Sequence, residues 1–333
     1  MPSMQAMVLE RAKQPLRLRE RPLPDPPPGE VRLRVLACAV CRTDLHVIDG
    51  ELPQTRYPIV PGHEVVGLVE ALGAEVEGLG IGQVVGLPWL GESCQHCRYC
   101  LAGDENLCDA PQFTGCTRDG GFATHVLARA GFCLPLSASQ AASPERTAPL
   151  LCAGLIGWRA LRAAGETTRT LGLYGFGAAA HLVTQVAVAE GRTVFAFTRQ
   201  GDAATQRFAL SLGAAWAGDA DAAPPQPLDA AIIFAPAGHL VPRALQAVRK
   251  GGNVVCGGIH MSDIPSFPYR LMWEERRIVS VANLTRRDGQ EFLRAAAALS
   301  LQAHTTPYAL EDANDAVADL RGGRLQGAAV LMP

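Results

Sequence analysis

Alternation of hydrophobic and polar positions dominates the first third of the chain. Residues 31–37 run Val-Arg-Leu-Arg-Val-Leu-Ala, and the first five alternate with the period of two expected for a strand with one buried face. Glycines separate two further short strands, at residues 65–72 and 84–87. A proline-rich extended connector at residues 22–29 precedes them. This region is therefore predicted to be mainly β.

The pattern changes near Ala148, where short apolar runs begin to alternate with helical periodicity. The predicted strands are residues 171–174, 193–197, 228–234, 253–256 and 278–282, and the predicted helices are residues 179–190, 203–212 and 240–249. Strands that alternate with helices in this way indicate a doubly wound parallel sheet, the α/β fold class.

The alternation ends after Ala282, and two helices (291–299 and 310–321) and a last strand (327–332) follow. The 333 residues suit two domains rather than one. We predict a discontinuous, mainly β domain (1–150 and 287–333) and an α/β domain (151–286).

Composition narrows the class of protein. The chain is 48% hydrophobic and 19% charged with a net charge of −2, which is typical of a globular enzyme and gives no electrostatic attraction to nucleic acid or a membrane surface. Neither a secretory leader nor an apolar stretch of about 20 residues is evident. We therefore expect a cytoplasmic protein that binds neither nucleic acid nor a membrane.

The sharpest local motif is Cys94-x-x-Cys97-x-x-Cys100-x7-Cys108, within a lobe predicted at residues 91–111. Four thiolates at these spacings can surround one Zn²⁺ and leave no position for substrate, which makes such a site structural. The other interpretations are unpaired surface thiols or two disulfides. Cys116 lies outside the pattern, and we interpret it as a lone thiol.

A second set of potential ligands is dispersed along the chain: Cys41 after a strand, His63 within Gly62-His63-Glu64, and Cys152 at the entry to the α/β region. Two thiolates and one imidazole make a three-ligand zinc site with a fourth position free. Spacing alone does not reveal such a site, because isolated cysteines and histidines more often pack in a core.

A glycine motif follows the first strand of the α/β region. It reads Gly175-Phe176-Gly177-Ala178-Ala179-Ala180, that is G-x-G-x-x-A, between a predicted strand and a predicted helix. In dinucleotide-binding folds the first glycine permits a tight turn, the second allows the pyrophosphate to approach, and the helix N-terminus stabilises that anion. We therefore expect Gly175, Gly177 and Ala180 to bind the cofactor.

Taken together, these pieces resemble the zinc-dependent alcohol dehydrogenases of the medium-chain dehydrogenase/reductase superfamily. The matching segments are Cys41 to His46, Gly62 to Gly67, the four-cysteine motif, Gly120 to Ala123, Cys152 to Gly154 and Gly175 to Gly177. The resemblance implies a GroES-like catalytic domain beside a Rossmann domain, and two zinc ions per chain. It implies Cys41, His63 and Cys152 as catalytic ligands, and the four-cysteine motif as the structural site.

The resemblance also implies roles for four neighbouring residues. Asp44 would hydrogen bond to the free nitrogen of His63, and Glu64 would lie close enough to the zinc to ligate it transiently. Both could instead be surface carboxylates. Thr43 would contact the substrate oxygen, and the alcohol proton would leave through the cofactor ribose to His46 and then to water.

Two departures from the family pattern concern the cofactor. An NAD enzyme usually has Asp or Glu after the second strand, where this chain has Thr198 and Arg199, so we predict a preference for NADP. Relatives often have an arginine for the cofactor phosphates just before the last strand, where this chain has Gly327. Arg42 or Arg324 would then supply that contact.

The predicted reaction is hydride transfer between a primary or secondary alcohol, or its aldehyde, and the nicotinamide cofactor. Trp89, five residues before Cys94, would narrow the substrate pocket or pack in the lobe. The alternatives are the same chemistry on a polyol, a formaldehyde adduct or an aryl aldehyde, or a non-catalytic, zinc-stapled nucleotide-binding relative. The resemblance also implies a homodimer or homotetramer that pairs through edge strands such as residues 278–282.

Overall fold

The structure is a computed structural model that describes residues 2–333. The strands in this range are β1 Ser3–Val8, β2 Arg17–Pro22, β3 Glu30–Val40, β4 Glu64–Leu72, β5 Val84–Leu87, β6 Leu90–Glu92, β7 Gln112–Phe113, β8 His125–Arg129, β9 Leu134–Pro135, β10 Thr170–Tyr174, β11 Thr193–Thr198, β12 Trp216–Asp219, β13 Leu228–Ile233, β14 Val248–Cys256, β15 Arg277–Ser280, β16 Thr305–Ala309 and β17 Ala328–Met332.

The helices in the same range are α1 Arg42–Asp49, α2 Arg98–Ala102, α3 Ala138–Ala141, α4 Pro144–Thr147, α5 Ala153–Ala164, α6 Ala178–Ala189, α7 Ala203–Ser211, α8 Leu240–Ala247, α9 Arg286–Ala298 and α10 Ala313–Gly322. Short 3₁₀ turns lie at Glu105–Leu107, Ala130–Phe132, Ala148–Leu151, Tyr269–Leu271 and Leu310–Asp312. None of the helices within residues 2–333 combines the length and apolar surface that a bilayer crossing requires.

The described chain divides into two compact units. The first comprises the residues up to Ala153 together with Asn283–Ala297 and Gln302–Pro333. The second comprises Gly154–Ala282 and Ala298–Leu301. For comparison, the sequence pattern placed these boundaries after residues 150 and 286.

The first unit is built on a sheet in the order β16-β17-β3-β4-β5-β9, in which β8 also pairs with β3. Strand β3 shows why the sequence alternates: Val31, Leu33 and Val35 are buried in the core, whereas Arg32 and Arg34 lie on the other face beside Glu70. One-sided burial with a period of two is typical of antiparallel sheets. Strands β6 and β7 form a separate antiparallel ribbon that carries the four-cysteine lobe.

The second unit contains a parallel six-stranded sheet in the order β12-β11-β10-β13-β14-β15. All five residues of β10 are buried, which explains why its sequence is a continuous apolar run rather than an alternating one. Gly175 follows β10 with φ of +87°, and a Cβ there would lie 2.8 Å from the backbone nitrogen of Ala235. Only glycine fits this turn. The sheet confirms the predicted α/β class.

Several elements differ from the sequence prediction. Strands β12 and β16 and the hairpin β1–β2 were not predicted, and α9 begins at Arg286 rather than at residue 291. The first turn of α9 is polar and gives no apolar periodicity, but Asp288 and Thr285 form a reciprocal cap there: the Thr285 N–H and hydroxyl donate to Asp288, and the Asp288 N–H donates back. Strand β16 contains Pro307, which is tolerated because β16 ends the sheet order.

Candidate metal and cofactor sites

The four cysteines of the lobe converge on one point. Their sulfur atoms all lie within 4.8 Å of one another, and all four are free thiols rather than disulfides. Backbone N–H groups point at the sulfurs: Cys97 N–H donates to Cys94 Sγ at 3.3 Å, and Cys94 N–H donates to Cys108 Sγ at 3.2 Å. Hydrogen bonds from the backbone of Asp109 and then of Cys100 lower the pKa of Cys97 to about 6. These donors favour the thiolate of Cys97, which is the form that binds metal, whereas burial raises the pKa of Cys108 to about 12.

A second group of ligand atoms is assembled from three separate parts of the first unit. Cys41 follows β3 and caps α1, His63 directly precedes β4, and Cys152 follows the 3₁₀ turn Ala148–Leu151. Cys41 Sγ lies 3.1 Å from His63 Nε2 and 3.9 Å from Cys152 Sγ. A carboxylate oxygen of Glu64 completes a cluster in which all four ligand atoms lie within 4.8 Å of one another.

The Asp44 carboxylate is hydrogen bonded to two members of this cluster, His63 and Cys41. It is fully buried and accepts hydrogen bonds from His63 Nδ1 at 3.1 Å, from Gly62 N–H at 3.2 Å and from Cys41 N–H at 2.9 Å. Burial opposes protonation of His63, but the Asp44 carboxylate and the Cys41 thiolate outweigh burial and raise the pKa of His63. Asp44 is therefore not a surface carboxylate, and its bond to Nδ1 leaves Nε2 facing the sulfurs.

Glu64 is the second buried carboxylate of this cluster, at 1% exposure. Burial is the largest of the effects that raise its pKa, followed by the nearby Cys41 thiolate. Its Oε1 atom has no hydrogen-bond partner within residues 2–333. A buried, unpaired carboxylate oxygen beside two sulfurs and an imidazole nitrogen fits a cation, because a bound cation would satisfy all of these groups at once. The soft sulfur and nitrogen donors are those that zinc prefers.

Three further predicted residues lie close to this cluster in the sequence or in space. Thr43 is buried in the first turn of α1, and its N–H donates to Cys41 Sγ at 3.2 Å. His46 lies one turn further along α1, and its Nδ1 is hydrogen bonded to Glu51. Trp89 is 7% exposed and packs against the ring of His63. Sequence reasoning missed Glu51, which carries no motif of its own.

The second unit holds the glycine motif and the residues after β11. Gly177 caps α6, and Ala180 is buried in its first turn. Thr198 ends β11 and is buried; its hydroxyl accepts a hydrogen bond from Gln206 Nε2 at 3.1 Å and lies 3.3 Å from the Gly218 carbonyl. By contrast, the side chain of Arg199 is 83% exposed.

Asp219 lies at the carboxyl end of β12, beside the end of β11, and was not identified from the sequence. It is opposite Thr198 in the β11–β12 pairing, and its Oδ1 accepts hydrogen bonds from Gln206 Nε2 at 2.9 Å and from Gly201 N–H at 3.0 Å. The available signal was an acidic residue at the carboxyl end of a strand, but β12 itself was not predicted. In the first unit, Arg42 is exposed on α1, and Arg324 donates to Asp319 at 2.7 Å.

Comparison with known proteins agrees with this arrangement. Residues 27–138 match the family described as "Alcohol dehydrogenase GroES-like domain". The "Probable alcohol dehydrogenase AdhA" of Mycobacterium tuberculosis is 45% identical over 317 residues, covering 93% of this chain and 90% of its own length. These matches confirm the GroES-like assignment of the N-terminal region.

Two solved structures are similar over nearly the whole chain. A cinnamyl alcohol dehydrogenase from Sorghum bicolor has a TM-score of 0.90 and 27% identity, covering 99% of this chain and 98% of its own. A cobalt- and zinc-bound thermostable alcohol dehydrogenase from Pyrobaculum aerophilum has a TM-score of 0.89 and 25% identity, covering all of both chains. Fold and ligand groups thus define a medium-chain dehydrogenase/reductase. Within that class, the chain belongs to the zinc-dependent alcohol dehydrogenase family.

Proposed function

We propose that this alcohol dehydrogenase binds two zinc ions per chain and transfers hydride between a primary or secondary alcohol, or the corresponding aldehyde or ketone, and NADP(H) in preference to NAD(H). The observation that carries the proposal is the buried convergence of Cys41, His63 and Cys152 beside the unpaired carboxylate oxygen of Glu64. Three protein ligands leave a coordination position for substrate, as catalytic zinc sites require.

The two ligand groups have different chemical roles in this proposal. Cys94, Cys97, Cys100 and Cys108 would close a metal off from substrate and hold the lobe together. Zinc bound at the second group would supply a Lewis acid that stabilises negative charge on the substrate oxygen. Asp44 fixes the orientation of His63, and Glu64 lies within reach of the same ligand position.

The chain's own polar groups would move the alcohol proton. We assign Thr43 Oγ as the group that contacts the substrate oxygen, accepts its proton and passes its own hydroxyl proton on. His46 lies one helical turn from Thr43 and would release the proton to solvent. His46 Nδ1 donates a hydrogen bond to the Glu51 carboxylate, which orients the imidazole for this exchange.

We further propose that the first unit is the catalytic domain and the second unit the nucleotide-binding domain. Gly175, Gly177 and Ala180 would receive the pyrophosphate at the N-terminus of α6. The exposed guanidinium of Arg199 is suited to a 2′-phosphate. Arg42 remains the candidate for an additional pyrophosphate contact, because Arg324 is already engaged by Asp319.

The substrate is open between short aliphatic alcohols and aryl or polyol compounds. Trp89 is buried beside the predicted zinc ligand His63, and a bulky indole next to the metal supports small or slender substrates. The likeness to the sorghum cinnamyl alcohol dehydrogenase brings aryl aldehydes into the substrate panel. A non-catalytic relative would lack a ligand or Thr43 or His46, and all of these are present.

We also propose self-association through the second unit. Strand β15 ends the order of the parallel sheet, and the preceding segment exposes Tyr269 (71%) and Trp273 (67%). An open strand edge beside exposed aromatic side chains suits pairing with a second copy across a two-fold axis. Light scattering that finds only monomer at micromolar concentration would contradict this self-association.

We place the protein in a reducing compartment such as the cytoplasm, because its ten cysteines are all free thiols.

One experiment tests the function directly. The purified enzyme is assayed for nicotinamide absorbance with aliphatic, aryl and polyol substrates, with each cofactor in turn, while its zinc content is measured. We expect two zincs per chain and turnover that depends on them. Zinc-loaded protein that turns over none of these substrates with either cofactor would refute the proposal.

A further inference from the structure

The indole of Trp89 makes two ring contacts. On one side it meets the imidazole of His63, with ring centroids 5.0 Å apart and planes at 80°, an edge-to-face arrangement. On the other it stacks on Phe113, with centroids 5.0 Å apart and planes at 18°. Trp89 is buried, so the indole is held between Phe113 and His63 rather than free to move.

The His63 ring is also hydrogen bonded at both of its nitrogens. Nδ1 is 3.1 Å from Asp44 Oδ1, and Nε2 is 3.1 Å from Cys41 Sγ. Hydrogen bonds tolerate small changes of angle, so these two contacts leave the imidazole some freedom to rotate about its Cβ–Cγ bond. Because the lone pair of Nε2 lies in the ring plane, such a rotation changes the position of Nε2 and the direction in which its lone pair points. An indole packed edge-to-face at 5.0 Å opposes that rotation.

The aromatic pair also stands at the base of the four-cysteine lobe. Trp89 directly precedes β6, and Phe113 ends β7, where it pairs with Leu90. The lobe cysteines lie between these two strands in the sequence. The ribbon that carries the lobe therefore positions the indole beside the imidazole. The backbone of Trp89 is held in turn, because Thr114 N–H donates to the Trp89 carbonyl at 2.9 Å.

We propose that Trp89, supported by Phe113, is a positioning residue that holds the imidazole of His63 at the angle needed to bind metal. This inference rests on the proposed function, since it takes Cys41, His63 and Cys152 as metal ligands. It gives Trp89 a task that is independent of substrate: the indole should affect how tightly metal is held even when no alcohol or cofactor is present.

The test is the rate at which zinc passes from the whole enzyme to a chromogenic chelator. We expect two kinetic phases of zinc release, one from each ligand group. Cys152→Ser should remove one phase and Cys97→Ser the other, which assigns each phase to its group. In Trp89→Leu, which keeps apolar bulk without a ring, we expect release from the Cys152 group to accelerate on the order of 10-fold, with the lobe phase unchanged. Trp89→Phe should be intermediate, because it retains an aromatic ring.

Trp216→Phe is the matched control, because Trp216 also packs on an aromatic ring, Phe197, but belongs to the second unit. It should leave both phases unchanged. Cobalt substitution adds a spectroscopic measure: the cobalt–thiolate bands of the Cys152 group should shift in Trp89→Leu. If both release phases and the cobalt bands match wild type while only KM for alcohols changes, Trp89 is a pocket wall and the proposal is overturned. If wild-type enzyme shows no phase that depends on Cys152, the proposed function fails instead.

Discussion

Glu105 accepts four hydrogen bonds from Arg286. The backbone N–H of Arg286 donates at 2.6 Å, its Nε reaches both carboxylate oxygens at 3.0 and 2.9 Å, and its Nη2 donates at 2.6 Å. Glu105 lies between the third and fourth cysteines of the lobe, and Arg286 begins α9. The guanidinium also lies over the ring of Phe132 at 4.7 Å. One buried carboxylate thus ties the lobe to the C-terminal segment of the first unit.

Glu105→Gln should therefore lower the free energy of unfolding by about 2 kcal/mol, because the amide cannot accept all four donors and leaves a charged guanidinium without its partner. Thermal or denaturant unfolding measures the change. The control is Glu291→Gln, which breaks the exposed pair Arg287–Glu291 of the same helix and should cost less than about 0.5 kcal/mol. Equal effects of the two substitutions would contradict a special role for Glu105.

The two cysteine groups should respond differently to loss of a ligand. Cys152→Ser should abolish turnover, reduce zinc to one per chain and leave most of the fold intact. Cys97→Ser should also lose one zinc, but its main effect should be on stability or solubility, because the lobe has no apolar core of its own. Zinc content, circular dichroism and activity separate these outcomes. A Cys97→Ser protein that is fully stable and still binds two zincs would show that the structural assignment is wrong.

His125 should contribute to acid sensitivity. It lies on β8 facing Glu70 on β4 and Arg32 and Arg34 on β3, with Thr124 Oγ1 3.0 Å from Nδ1. Burial is the largest effect on its pKa and, with the two arginines, outweighs Glu70, so the pKa is lowered. Below the unfolded value of about 6.5, the unfolded chain binds a proton that the folded chain does not. Stability is therefore lost as the pH falls from that value to the folded pKa.

The measurement is the free energy of unfolding of wild type and His125→Gln between about pH 7.5 and pH 5. The variant should lose less stability over this range than wild type does. His239→Gln, an exposed histidine on the second unit, is the control and should follow the wild-type curve. Parallel curves for wild type and His125→Gln would rule out the assignment.

The sequence predicted the elements whose apolar pattern is strong. β3, with its alternating buried positions, and β10, with its continuous apolar run, were both placed to within a few residues. The missed strand β12 has only half-buried residues, so neither pattern is present. The start of α9 was missed because its first turn is held by polar capping and by Glu105, a partner 181 residues away.

The two ligand groups also differ in how far the sequence alone could predict them. The four-cysteine group is contained in 15 residues and was predicted from spacing. Cys41 and Cys152 are 111 residues apart, so only the family resemblance could join them. Neither motif spacing nor the family resemblance predicted the Trp89–His63 contact. Strand periodicity predicts which face of a sheet a side chain occupies, but not which ring it contacts.

The last prediction concerns the cofactor. The Thr198 hydroxyl is buried and engaged by Gln206 and the Gly218 carbonyl, whereas the Arg199 side chain is 83% exposed and its ion pair with Asp202 is long, at 3.7 Å. Such a weak surface pair costs little to break. A planar, permanently charged guanidinium can then form two parallel hydrogen bonds to a 2′-phosphate. Arg199 is thus the better placed of the two residues to select NADP.

One charge-assisted contact is worth about 1.5–3 kcal/mol, which corresponds to a preference of roughly tenfold to a hundredfold in kcat/KM for NADP over NAD. Arg199→Gln should remove most of this preference by weakening NADP alone. Thr198→Asp should lower it further, because a carboxylate there repels the phosphate and can bind the ribose hydroxyls of NAD. Arg146→Gln, an exposed arginine of the first unit, should leave the ratio unchanged. A native enzyme that prefers NAD, or a Thr198→Asp variant with an unmoved cofactor ratio, would refute this account, because the NADP preference and its reduction in Thr198→Asp both follow from the absence of an acidic residue at the end of β11.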